Sequence, residues 1–137
     1  RVVVDSSVIV KWLNQKDEKY LRQAETLLKD VQDGRIELLT VDLAIYEVGN
    51  ALLLGKKISS EEAQEAFNFL LDLPIMIIHQ TKQMAGEAYR IASESALTYY
   101  DAAFVALAKQ FSAVLVTDNI KHQGKVVDVK VIPLAKY

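Results

Sequence analysis

Val2-Val3-Val4-Asp5-Ser6-Ser7 places three β-branched residues ahead of an acid and two hydroxyl side chains. Consecutive valines favour a short strand buried on both faces, the usual condition of a strand in a parallel sheet. An aspartate directly after such a strand stands at its carboxyl end, and the hydroxyls behind it begin a helix near Ser6 or Ser7. The pattern recurs late in the chain as Val114-Leu115-Val116-Thr117-Asp118. Ile36 to Leu39, Ile75 to Ile78 and Val129 to Ile132 are three further strand candidates.

Helical signals lie between these runs. Ser59-Ser60-Glu61-Glu62 reads as a capping box, and Ala63, Ala66, Phe67 and Leu70 follow at the spacing of one buried stripe. A second stripe runs through Met84, Ala88, Ile91 and Ala92, and a third through Phe104, Leu107, Ala108 and Phe111. From Leu43 to Leu54 the pattern is apolar nearly all round, which predicts a buried helix. Strands interleaved with helices predict an α/β fold with a central parallel sheet, whose ligand crevice lies at the carboxyl ends of the strands. No repeat, low-complexity tract or linker divides the sequence, so residues 1–137 are expected to form a single domain.

The 137 residues suffice to bury about two thirds of the unfolded surface in one core. With 51% hydrophobic and 25% charged residues, the balance is that of a globular protein and not of a disordered chain. The absence of cysteine excludes disulfides, thiolate nucleophiles and cysteine zinc sites. No apolar run reaches membrane-span length and no signal-peptide pattern opens the chain, so a cytoplasmic protein without a membrane contact is expected. The formal charge of −2 is not that of a typical nucleic-acid binder, but with four acids assigned to a metal site the remainder carries +2.

Four acids stand where acids are costly. Asp5 and Asp118 follow strands, where each can serve the crevice or simply cap a helix or form a turn. Glu47 is the only charge between Leu43 and Leu54, so it needs a cation partner, a metal or a raised pKa. Asn50, one turn on, can orient it. Asp101 heads the apolar face of Phe104, Val105 and Ala108, yet Thr98-Tyr99-Tyr100-Asp101 also matches a capping box. Each acid alone has a structural explanation. Together they form a set without a matching set of bases, and a divalent ion is the economical way to keep crowded carboxylates ionised. All-oxygen ligation selects Mg²⁺ or Mn²⁺ over zinc.

Four segments in order, Val-Val-Val-Asp5-Ser6-Ser7, Tyr46-Glu47-Val48-Gly49-Asn50-Ala51-Leu52, Tyr100-Asp101-Ala102-Ala103-Phe104-Val105-Ala106-Leu107-Ala108 and Leu115-Val116-Thr117-Asp118, resemble PIN domains, and more narrowly the VapC toxins of toxin-antitoxin pairs. The resemblance covers essentially the whole chain. It implies a three-layer α/β/α sandwich around a central parallel sheet, a homodimer, a VapB-type antitoxin and endonucleolytic cleavage of RNA, with tRNA and ribosomal RNA as candidate substrates. It also implies that Asp5 and Asp101 are the principal metal ligands, with Glu47 completing the acidic pocket directly or through water. Asp118 belongs to the fourth acidic position, but the commonest pattern places that acid two residues after the threonine, where this chain has Asn119. Either residue can therefore reach the metal.

The expected reaction is in-line attack of a metal-activated water on an RNA phosphodiester, with Glu47 orienting or deprotonating the water. Ser6, Ser7, Asn50, Thr117 and Asn119 are read as supports of the acids, and Lys11, Lys121 and Lys125, alongside His122, as RNA contacts. Neither His79 nor His122 has a partner at catalytic or metal-site spacing. Two alternatives compete: a PIN-like scaffold that binds RNA or protein without cutting, and a receiver domain. A receiver expects an acid after a middle strand, where His79-Gln80 stands here.

Overall fold

A computed structural model describes residues 1–124 and 126–137; Lys125, one of the anticipated RNA contacts, lies outside them, as does the side chain of His122. The order of elements is β1 (Val2–Val4), α1 (Ser6–Leu13), α2 (Leu21–Gln32), β2 (Leu38–Val41), α3 (Leu43–Asn50), α4 (Ser60–Asp72), β3 (Met76–Ile78), α5 (Lys82–Ser95), α6 (Tyr99–Gln110), β4 (Val114–Thr117), α7 (Ile120–Gln123) and β5 (Val131–Pro133). All five strands are parallel, in the order β3-β2-β1-β4-β5. A receiver-like sheet would run 2-1-3-4-5, so that alternative falls on topology.

The chain walks outward from β1 to β2 and β3, then crosses back to β4 and β5. Right-handed crossovers then put α1 to α4 on one face and α5 to α7 on the other. The helix contacts agree: α1 packs on α2, α3 and α4, whereas α6 packs on α5 and α7. The result is the three-layer α/β/α sandwich. The direction of the walk reverses between β1 and β4, and a parallel sheet opens its ligand crevice at such a point. Asp5 and Asp118 therefore follow the two strands that flank the reversal.

Several sequence expectations needed adjustment. The strand expected at 129–132 runs Val131–Pro133, in register with β4, Leu115 against Val131. The expected strand at 36–39 runs Leu38–Val41, because its register is set on one side by β1, Val2 against Leu38, and on the other by β3, Val41 against Ile78. The apolar segment from Leu43 is not buried all round. Ala44, Val48 and Leu52 face the core at four-residue spacing, while Tyr46, Leu53 and Leu54 are 73%, 65% and 79% exposed. Helix α3 closes in a π turn over Ala51–Gly55, with the Lys56 amide donating to the Ala51 carbonyl.

Helix α2 was not anticipated, although Ala24, Leu27, Leu28 and Val31 carry a helical stripe. No side chain caps its start, where Tyr20 holds a left-handed conformation at φ 59. The capping box of α4 is present in full: the Glu62 amide donates to Ser59 Oγ and the Ser59 amide donates to the Glu62 carboxylate. Ser59→Ala is expected to cost about 1 kcal/mol in urea unfolding through loss of this cap.

Candidate active site

Asp5 caps α1 and is buried at the carboxyl end of β1. Its carboxylate caps α1 by accepting from the Val8 amide at 3.4 Å, and it accepts the Ser7 hydroxyl on Oδ1 at 2.5 Å and the Thr117 hydroxyl on Oδ2 at 2.6 Å. Those hydroxyls are themselves fixed: Ser7 Oγ accepts the Asp118 amide at 3.1 Å and Thr117 Oγ1 accepts the Asn119 amide at 2.8 Å. Asp5 thus anchors the loop after β4 through two hydroxyl relays. Burial pushes its carboxyl above the ordinary aspartate range, against the opposing effect of these hydrogen bonds.

Glu47 reaches the crevice from α3 and is half-buried. Burial raises its pKa most; the Ser6 hydroxyl, donating to Oε2 at 2.6 Å, opposes the rise, and the charges of Asp5 and Asp101 add to it. Asp101 lies in the first turn of α6, its amide donating to Thr98 Oγ1 at 3.0 Å and its Oδ2 accepting the Thr98 hydroxyl at 2.9 Å. Thr98 is the cap of α6, and Asp101 takes part through its amide and by accepting the Thr98 hydroxyl, without the reciprocal backbone bond of a full capping box. Among the described residues, no ion pair involves Asp5, Glu47 or Asp101. The ion-pair explanation of Glu47 therefore has no partner among them.

Asp118 is placed differently. Its Oδ2 lies 2.9 Å from Lys11 Nζ, and Lys11 also pairs with Glu18 at 2.5 Å. Glu18 in turn binds Lys56. Lys11 is 2% exposed, so the anticipated RNA-gripping role is corrected: it is an internal cation serving two carboxylates. Its ammonium stays protonated, because its partners offset the burial that would drive the proton off. Lys121 is exposed on α7. Asn50 is exposed and lines a groove with Tyr46, Leu53 and Phe67, so Ser6 and not Asn50 orients Glu47. Glu18, Lys56 and the buried Gln123 went unnoticed in the sequence, since nothing in local spacing distinguishes them from surface polar residues.

The donor set suits a hard divalent cation: three carboxylates, hydroxyl supports, no nitrogen or sulfur ligand and no internal base to neutralise them. Among the described residues no three acidic or histidine side chains stand close enough to enclose an ion alone.

A family model described as "PIN domain" matches residues 2–126. The curated protein Ribonuclease VapC3 of Pyrobaculum aerophilum is 32% identical over 121 residues, covering 85% of this chain and 88% of that one. Two of the solved structures that share the fold illustrate the match. One is VapBC2 from Rickettsia felis bound to a promoter DNA fragment, with a TM-score of 0.72, 18% identity and coverage of 96% of this chain and 97% of that one. The other is VapC20 from Mycobacterium tuberculosis, titled a sarcin-ricin loop cleaving toxin, with a TM-score of 0.67, 15% identity and coverage of 95% and 99%.

Raised carboxyl pKa values make the metal-free protein lose stability as pH climbs from the unfolded-state value through the folded one, because the native state binds more protons in that interval. In EDTA the wild type should be less stable at pH 8 than at pH 5.5, and Asp5→Asn should flatten that slope. A steeper slope in the variant would remove Asp5 as its source. Lys11→Met leaves Asp118 and Glu18 without their shared cation and should cost roughly 3 kcal/mol in thermal or urea unfolding. Lys121→Ala, at an exposed position, should cost almost nothing.

Proposed function

This chain belongs to the PIN-domain family, and on that premise we propose that it is a metal-dependent endoribonuclease, the toxin member of a VapBC-type pair. The observation that supports the reading is Glu47, half-buried on α3 and within electrostatic range of both Asp5, at the end of β1 beside the strand reversal, and Asp101 in the first turn of α6, with hydroxyl partners and no ion-paired base among the described residues.

Asp5, Glu47 and Asp101 would hold Mg²⁺ or Mn²⁺, which when bound neutralises phosphate oxygens and acidifies a coordinated water. Each residue has a separable task. Asp5 is held by three donors that fix its orientation, leaving one lone pair of Oδ2 for a cation. Glu47 is the proton acceptor for the attacking water: burial and two neighbouring negative charges strengthen it as a base, and the Ser6 hydroxyl fixes its Oε2. Asp101 is aimed by Thr98. Asp118 contributes through Lys11, whose two salt bridges tie the loop after β4 to α1, and Asn119 is held beside it by the Thr117 hydroxyl. Of the lysines anticipated as RNA contacts, Lys121 is described and exposed, and so is available to the RNA backbone.

Two protein contacts belong to this reading, a VapB-type antitoxin and a second copy of the chain. The exposed Tyr46, Leu53 and Leu54 supply apolar surface of the kind such contacts cover. No helix among the described residues is long and apolar enough to cross a membrane.

End-labelled tRNA and ribosomal RNA incubated with the purified protein in Mg²⁺, Mn²⁺ or EDTA should show discrete cuts that need metal and vanish with Asp101→Asn. Identical patterns from wild type and variant, with metal binding confirmed, would favour a scaffold that does not cut.

A further inference from the structure

A pocket of about 270 Å³ lies at the carboxyl ends of β2 and β3, lined there by Asp42 and Gln80. Both strands run parallel to β1, so the pocket is on the edge of the sheet that carries Asp5. Neighbouring strands are about 4.8 Å apart, which sets the ends of β2 and β3 roughly 5 and 10 Å along that edge from the end of β1. The remaining wall is aromatic. Tyr46 comes from α3, Tyr99 and Tyr100 come from the first turn of α6, and the buried Val41 and Ala103 make an apolar floor. Tyr46 directly precedes Glu47 and Tyr100 directly precedes Asp101, so each of these two acids is the chain neighbour of a tyrosine in the pocket.

The lining defines what fits. Tyr46 and Tyr100 are 73% and 61% exposed, whereas Tyr99 is steadied by its hydroxyl, which donates to the Ala85 carbonyl at 3.5 Å. The pocket is smaller than the roughly 300 to 1,000 Å³ of drug-sized ligand sites, and so suits one planar ring system better than a strand or helix of a partner protein. Exposed aromatic faces hold single-stranded nucleic acid by stacking on its bases. The Asp42 carboxylate decides which part of a nucleotide enters, because it repels phosphate and accepts hydrogen bonds from base amino groups. Its Oδ2 lies 3.1 Å from His79 Nδ1, and a carboxylate has lone pairs for more than one donor. The exposed Gln80 adds a donor and an acceptor, the pair that matches the edge of adenine.

We propose that this pocket receives an unpaired base of the RNA beside the phosphodiester that is cut, stacked against Tyr100 and read at its edge by Asp42 and Gln80. The inference rests on the RNA-cleaving reading above and adds a base preference to it. A phosphate held at Asp5 and Asp101 leaves the adjoining base within reach of a pocket over the next two strands. Adenine and cytosine carry an exocyclic amino group that can donate to Asp42, and uracil carries none, so the pocket favours the first two. Single-stranded RNA, whose bases can be splayed out and read at their edges, is the substrate class this arrangement fits.

Fluorescence anisotropy with fluorescein-labelled oligoadenylate, oligocytidylate and oligouridylate in CaCl₂, and cleavage of the same RNAs in MnCl₂, test this on wild type, Tyr100→Leu, Tyr100→Phe and Asp42→Asn. Tyr100→Leu, at an exposed position where Tm should hold, should bind RNA about ten-fold more weakly, whereas Tyr100→Phe keeps the ring and should bind like wild type. Wild type should favour oligoadenylate and oligocytidylate over oligouridylate, and Asp42→Asn should reduce that preference. Equal RNA binding by wild type and Tyr100→Leu would overturn the inference, and a changed oligomeric state of that variant in sedimentation would then make the pocket a protein contact. Asp42→Asn binding all three RNAs more tightly in an unchanged ratio would put phosphate there instead of a base, and would equally overturn it. Tyr100-dependent binding without cleavage would uphold the pocket and overturn only the cutting. Cleavage that Tyr100→Leu leaves intact would do the reverse, and a wild type that binds none of the RNAs would overturn the inference.

Discussion

The Asp5 carboxylate lies at the end of β1, and the crevice is shaped by groups that either touch it or are held by groups that do. Its two oxygens fix the start of α1 through the Val8 amide, and the loop after β4 through Ser7 and Thr117. Two strands and the helix between their ends are thereby held to one buried charge. Burying a carboxylate without a base is unfavourable, and its three donors recover only part of the loss, which is why its proton affinity remains high. A site built this way stores an affinity for positive charge. The fold tolerates that expense at one point because the rest of the sheet interior is valine and leucine.

The polar interior is divided into two compartments with opposite electrostatic solutions. On one side Glu47 senses the charges of both Asp5 and Asp101, and these acids have only hydroxyl and amide donors as partners. On the other, Lys11 neutralises Asp118 and Glu18, and Lys56 shares Glu18. Helix α1 separates the two, carrying Ser6 and Ser7 at its first turn toward the acids and Lys11 one to two turns later toward the salt bridges. The placement matters because Lys11 aimed at Asp5 would satisfy the carboxylate and remove its need for a metal. Pairing Lys11 with Asp118 keeps the internal cation out of the acidic pocket and ties down the loop that bears Thr117.

The α3 segment shows how composition can mislead. An apolar run with one acid predicts a helix buried all round, but only the face of Ala44, Val48 and Leu52 meets the core. Glu47 is therefore at the edge of a layer and not inside one, which places its carboxylate within reach of solvent and of the crevice together. The exposed Tyr46, Leu53 and Leu54 are free to serve contacts with other molecules, and apolar side chains gathered in this way commonly mark such contacts.

The sequence by itself determined the alternation of strands and helices, the parallel sheet and the places of three acids at a strand end or on a helix, which the proposed reading assigns to the crevice. These follow from local rules: β-branched runs make buried strands, three stripes and a capping box make helices, and acids at strand ends or on apolar faces lack a local reason to be there. Helix α2 carried the stripe but no capping signal, so pattern alone left it unread. Tertiary structure decided the partners. Lys11 reads as a surface lysine until α1 packs and turns it between Glu18 and Asp118, and Asp118 reads as a ligand until that cation claims it. Gln123 has no signature at all in the sequence, since its burial depends on a single turn closing at Gly124 after a distant strand has paired with β1. Local spacing can place a charge on a face, but which groups meet across 112 positions, as Thr117 and Asp5 do, is set only when the sheet assembles.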